Sequence, residues 1–197
     1  MKILKVDSST NGGDSVSREL TDMIVEKLKS DNPDADIVTR DLGTEPLAHL
    51  NPITTGAIRM GEDDWTDDMK AAAPAEKAIL EEFLSADVVV IGAPMYNFTI
   101  PSALKSWIDR LGVPRVTFRY SENGPEGLAG GRKIIVASAR GGNYGDDSPM
   151  DFQESLLETF FNFIGIDDIT VIRAEGVGMP EGRKKAMASA KEQIAAL

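Results

Sequence analysis

The stretch Asp87-Val88-Val89-Val90-Ile91-Gly92-Ala93, followed at once by Pro94-Met95-Tyr96-Asn97-Phe98, decides the fold. After Asp87, residues 88–93 are apolar without alternation, so the strand they form is buried on both faces. Such a strand belongs in the middle of a parallel sheet covered by helices. Upstream, residues 2–7 (KILKVD) and 36–42 (DIVTRDL) read as two further strands. Downstream, residues 132–138 (RKIIVAS) and 168–174 (DITVIRA) read as a fourth and a fifth. Helical patterns lie between them. Leu20, Met23, Ile24 and Leu28 recur at helical spacing, with Asp14, Ser15 or Ser17 as the cap. A helix is predicted over residues 66–85, kinked or delayed by Pro74. Others are predicted over 101–111, over 149–164 and from Pro180 onward. Residues 113–131 suggest a hairpin excursion, and residues 43–65, with Pro46 and Pro52, an irregular segment.

Strands alternating with helices predict an α/β fold, with a parallel sheet between two helical layers. Five strands in one domain over residues 1–197 suggest the doubly wound order 2-1-3-4-5. Ligands of such sheets bind beyond the carboxyl ends of the strands, near the point where the strand order reverses. The loops after strands one, three and four are therefore where function is sought.

Composition narrows the classes. The chain has 32 acidic and 21 basic residues and a net charge of -11. That argues against nucleic acid and anionic membranes as partners, though a local basic pocket remains open to a phosphate. The chain contains no cysteine, which excludes disulfides, thiolate metal sites, iron–sulfur clusters and a thiol nucleophile. The absence is compatible with a reducing compartment, and a cytoplasmic location without a signal peptide is expected. His49, the single histidine, reads as a surface residue. No metal site and no membrane span are expected.

The loop after strand one contains Ser9, Thr10, Asn11, Gly12, Gly13, Asp14, Ser15, Val16 and Ser17. It is rich in hydroxyls and opens a helix, whose free N–H groups attract phosphate. It is neither a Walker A loop nor a dinucleotide fingerprint. A monophosphate site and a plain capping loop both fit. The loop after strand three is bracketed by Pro94 and Pro101. Its Met95, Tyr96 and Phe98 form either an apolar wall for a flat ring or a surface packed on a helix or subunit, with Asn97 to read polar edges. After strand four come Ala139, Arg140, Gly141, Gly142, Asn143 and Tyr144. The paired glycines allow a close backbone approach or a tight turn, and Arg140 is a counter-charge or a surface cation. One pocket would explain all three loops.

With these residues the chain resembles the FMN-dependent NADH-azoreductases, of the flavodoxin-like quinone reductase superfamily. The resemblance rests on Asp7-Ser8-Ser9, Ser15-Val16-Ser17, residues 93–98, residues 116–128 (VTFRYSENGPEGL) and Ala139-Arg140-Gly141-Gly142. It implies a flavodoxin-like fold in which Ser9, Ser15, Val16 and Ser17 hold the phosphate of FMN. Pro94, Met95, Tyr96, Asn97 and Phe98 would flank the ring, as would Ala139, Arg140, Gly141 and Gly142. The family usually has Ser where Ala139 stands, so only backbone contact is expected there. The resemblance also implies an NADH (or NADPH):quinone oxidoreductase that cleaves azo bonds by ping-pong two-electron transfer. The flavin would carry the chemistry, without a required catalytic side chain. Arg59, Tyr120, Tyr144 and Phe163 would face the substrate. A homodimer is implied, with Phe163 reaching the partner's flavin, although Phe160, Phe161 and Phe163 equally suit a core.

Overall fold

The computed structural model describes residues 1–145 and 148–197. The strands are β1 (Lys2–Asp7), β2 (Asp36–Asp41), β3 (Val88–Pro94), β4 (Phe118–Ser121), β5 (Gly124–Gly127), β6 (Lys133–Ala139) and β7 (Ile169–Ala174). The helices are α1 (Val16–Asp31), α2 (Pro52–Arg59), α3 (Asp67–Leu84), α4 (Ser102–Leu111), α5 (Glu154–Phe163) and α6 (Pro180–Ala195). The main sheet has the order β2-β1-β3-β6-β7, and every neighbouring pair is parallel. Setting aside the separate β4–β5 hairpin, this is the predicted 2-1-3-4-5 order.

Every residue of β3 is buried, and the strand distributes its side chains to two cores. Val88 and Val90 join Leu20 and Ile24 of α1 and Ala190 and Ile194 of α6. Val89 and Ile91 join Phe83 of α3, Trp107 of α4 and Phe161 of α5. The two-residue period of the strand thus sends α1 and α6 to one face and α3, α4 and α5 to the other. The hairpin is pinned beneath the end of α5: Ala129 N–H donates to Ile164 O at 2.8 Å. At Gly127 the backbones approach so closely that a Cβ would lie 2.1 Å from Gly165 N.

Three local readings are corrected. Residues 43–65 are not wholly irregular, because α2 occupies Pro52–Arg59. Asn51 caps it by accepting from the Ile53 and Thr54 N–H groups, and Thr54 Oγ1 accepts from Asn51 N–H at 2.9 Å. Pro52 opens the helix, where a missing N–H costs nothing. Pro74 lies inside α3 and does not delay its start, since Thr66 caps the helix by accepting from Met69 N–H and it runs from Asp67. Finally, α5 begins at Glu154 rather than near residue 149.

Trp107 anchors the larger core, fully buried and edge-on to Phe83 with ring centroids 5.8 Å apart. Its indole N–H has no partner among the described residues. Trp107→Ala is therefore expected to lower unfolding stability by about 3–5 kcal/mol. Trp107→Phe, which forfeits no hydrogen bond, is expected to cost less than half of that. Urea denaturation of the two variants checks both values.

Candidate functional site

A cleft of about 380 Å³ opens at the carboxyl edge of the sheet. Three predicted loops build it. Ser9, Ser15, Val16 and Ser17 come from the first, Pro94, Met95 and Tyr96 from the second, and Ala139 and Gly141 from the third. Asn11 and Asp14 also line it. A fourth side was not foreseen: Val177 and Gly178 after β7, and Arg183 in the first turns of α6. Gly178 N–H donates to Gly141 O at 3.1 Å, which joins this side to the third loop.

One end of the cleft is a donor nest. Ser15 caps α1, its hydroxyl accepting from Arg18 N–H, and lies 3.2 Å from the buried Ser17 hydroxyl. The first-turn N–H groups of α1 have no helical carbonyl to bond, and the helix dipole adds positive potential there. Arg183 brings a cation to the same cleft from across the chain, held by Glu19 at 3.2 Å.

Arg18 fixes the shape of this loop. Its guanidinium grips Asp41 at 2.7 and 2.6 Å and donates to Ser9 O at 2.8 Å. The hydrogen-bonded Arg18 guanidinium, aided by Thr44, holds the Asp41 carboxyl down to about 2 against burial that opposes it. Gly43 is required beside them, because a Cβ there would lie 2.0 Å from Ser9 O.

The other end is the wall of Pro94, Met95 and Tyr96. Tyr96 and Thr99 exchange backbone bonds of 2.8 and 3.2 Å across a two-residue turn. Both turn residues, Asn97 (φ 48) and Phe98 (φ 71), occupy the left-handed region, which is strained for a phenylalanine. Tyr96 ties the wall to the donor nest. Its hydroxyl accepts from Thr10 N–H at 3.1 Å and lies 3.5 Å from Ser9 Oγ. Burial raises the phenol's pKa, but the hydrogen bonds from Ser9 and Thr10 and the charge of Arg18 outweigh it and leave it below its usual value.

The structure separates the remaining predicted residues from the cleft. Asn97 lines an adjacent groove with His49 and Ser106, which shares Tyr96 with the cleft. Phe98 is exposed beside it. Arg140 is fully buried and points away from the cleft. Gly142 lies against Tyr144, whose ring sits 5.8 Å from the Arg140 guanidinium. Arg59 lines a separate 270 Å³ pocket with Trp65 and residues 113–116. Tyr120 is 75% exposed on the hairpin. Phe163 packs on Phe118, ring centroids 4.7 Å apart, and borders an apolar groove on α5. The surface reading of His49 agrees with its exposure, its ring 3.2 Å from Ser106 Oγ.

A family profile described as having a flavodoxin-like fold matches residues 1–197. The chain belongs to this flavodoxin-like family. Across its full length it is 49% identical to an FMN-dependent NADH:quinone oxidoreductase of Azospirillum brasilense, covering 97% of that protein. It is 53% identical to one of Rhizobium meliloti, over 99% of this chain and 96% of the relative. Among solved structures it is similar to an FMN-dependent NADH-azoreductase from Bacillus anthracis, in complex with FMN. That match has a TM-score of 0.86 and 28% identity, and covers 99% of this chain and 98% of the other. The flavodoxin-like fold and the family expected from the sequence are thus both established.

The Arg18–Asp41 pair also gives the donor nest an acid limit. Asp41 has a folded pKa of about 2, below its usual 3.8. A depressed carboxylate stabilises the fold above its unfolded pKa and loses that contribution as pH falls through the folded one. Stability should therefore fall from about pH 4 towards pH 2 with a component that Asp41→Asn removes. Urea midpoints of the two proteins across that range test it.

Proposed function

We propose that this protein is an FMN-dependent NAD(P)H:quinone oxidoreductase that also cleaves azo bonds reductively. The observation that carries this is the single cleft joining a donor nest to an apolar wall. The nest of Ser9, Ser15, Ser17, the α1 N-terminus and Arg183 suits a phosphate. Pro94, Met95 and Tyr96 offer a stiff surface for a flat ring. At Gly141 a Cβ would meet no atom within 4 Å, so backbone borders open cleft there. The donor set and the glycine wall fit FMN, and the names of the relatives and the FMN complex of the Bacillus anthracis enzyme support the same reading.

When bound, FMN would supply the ping-pong two-electron chemistry, with NADH as donor and the quinone or azo compound as acceptor. The balance is one NADH and one proton per quinone reduced to hydroquinone. An azo bond needs two such rounds to give two amines. The chain's own part is to bind and orient. Ser15, Ser17 and Arg183 would hold the phosphate, and Met95 and Tyr96 would border the ring. The strained turn at Asn97 and Phe98 holds the wall rigid at the sheet end. Ala139 lacks a hydroxyl, so the third loop contributes main-chain groups. Water supplies the protons.

The substrate side calls for a second copy of the chain. Arg59, Tyr120 and Phe163 lie away from their own cleft, and Phe152, Leu156, Phe160 and Phe163 border an apolar groove on one face. A homodimer would cover that face and bring Phe163 towards the partner's flavin, with Tyr144 closing the acceptor space from its own side. Among the described residues, no helix is long and apolar enough to cross a membrane. A cytoplasmic enzyme acting on small quinones and azo compounds, not on nucleic acid, fits the acidic, cysteine-free chain.

Purified protein reconstituted with FMN should show an oxidised-flavin spectrum that NADH bleaches without oxygen and benzoquinone restores. Bound FMN without quinone turnover would overturn the reductase reading. Arg183→Ala should weaken FMN binding about tenfold, the worth of one charge-assisted contact. It should leave riboflavin binding unchanged, because riboflavin has no phosphate. Fluorescence-quenching titrations with both flavins check this.

A further inference from the structure

Arg140 stands between two residues that line the cleft, Ala139 and Gly141. Its own side chain turns the opposite way and is fully buried. Nη2 meets Asp151 Oδ2 at 2.6 Å and also pairs with Glu154. Nη1 meets Glu175 Oε1 at 3.0 Å, and Nε donates to Gln153 Oε1 at 3.0 Å. Glu154 is shared with Arg173 at 2.7 Å. These five ionisable side chains set two arginines against three carboxylates. Among the described residues, carboxylates therefore outnumber arginines in this group, one residue behind the cleft wall.

The same guanidinium is a mechanical hub. Gln153 Nε2 donates to Ala93 O at 2.6 Å, next to Pro94. Phe152 N–H donates to Phe98 O at 3.0 Å, and so reaches the strained turn. Glu175 Oε2 accepts from Gly145 N–H at 3.4 Å, and Arg140 O accepts from Val177 N–H at 3.1 Å. The ends of β3, β6 and β7 thus meet at one planar cation with fixed donors, a task for which lysine is no substitute.

We propose that Arg140 is a positioning residue acting from behind the wall. It fixes the loops that border the ring, and it offsets the carboxylates paired with it so that they do not oppose reduction of the flavin. The proposal rests on the FMN reading above. Reduction adds electron density to the ring, so uncompensated negative charge in a poorly solvated wall disfavours it. Removing the Arg140 charge should lower the midpoint potential of the bound flavin, and removing a carboxylate should raise it.

The test reconstitutes wild type, Arg140→Lys, Arg140→Gln and Glu175→Gln with FMN. FMN dissociation constants and midpoint potentials, the latter by equilibration with redox dyes, are then compared. Arg140→Lys keeps the charge but not the fork, so FMN should bind about tenfold more weakly with a nearly unchanged potential. Arg140→Gln should bind FMN weakly with a more negative potential, and Glu175→Gln should show a less negative one. Loosened packing alone does not produce opposite signs. If Arg140→Gln fails to fold by circular dichroism, Glu175→Gln and Arg140→Lys decide. Wild type that holds FMN, with the potential unmoved in Glu175→Gln or the affinity unmoved in Arg140→Lys, overturns the proposal. Wild type that takes up no FMN overturns the cofactor reading and this proposal with it.

Discussion

Burial of β3 on both faces is the constraint on which the rest of the molecule depends. Its alternate residues feed two separate cores, so α1 and α4 must leave neighbouring strands towards opposite sides of the sheet. No helix then covers the carboxyl ends of β1 and β3, and a crevice opens there. Ser8 secures this edge from within, its hydroxyl donating to Gly92 O at 2.6 Å. The site follows from the topology before any of its side chains is considered.

That geometry explains why the cleft has two unlike ends. The α1 terminus can point its N–H groups only at the β1 side, where Ser15 and Ser17 add hydroxyls. The β3 side receives a loop stiffened by Pro94 and Pro101 and closed by the turn at Asn97 and Phe98. Tyr96 joins the two ends through Thr10. A phosphate and a ring on one ligand would therefore be sensed together, because moving either loop strains the bonds to the Tyr96 hydroxyl. Strain at Phe98 is tolerated because Phe152 N–H holds its carbonyl from the neighbouring segment.

Much of this was legible in residue patterns. The uninterrupted apolar run at residues 88–93 announces a central strand, and the alternation of strands and helices gives the sheet order. The hydroxyl-rich loop before Leu20 and the aromatic loop after Ala93 mark the cleft. What escaped was set by contacts distant in sequence or by competing local signals. The helix α2 hides behind Pro52, Thr55 and Gly56, although Asn51 and Pro52 are themselves start signals. Pro74 suggests a delayed start for the following helix, yet the Thr66 cap starts it at Asp67. Nothing local shows that Arg183, about 165 residues beyond Ser15 and Ser17, shares a cleft with them. Nor does the sequence tell that Arg140 turns inward, because that depends on Asp151, Glu154 and Glu175 arriving from other elements.

The charge balance of the chain sharpens this last point. A protein of net charge -11 repels anions over most of its surface, and FMN and NADH are both anionic. On the proposed reading, attraction would be local and short-ranged, from oriented N–H dipoles, hydroxyls and Arg183 rather than from the overall field. Such a site works only if its geometry is fixed in advance, since rearranging dipoles on binding would forfeit much of their effect. That rigidity comes from two arginines held by carboxylates, Arg140 fully buried and Arg18 largely so. Arg18 clamps the donor nest through Asp41 and Ser9 O, and Arg140 clamps the ring-side loops through its carboxylates. Each arginine is matched by acids from other elements, so the acidity that repels ligands at the surface stiffens the site within.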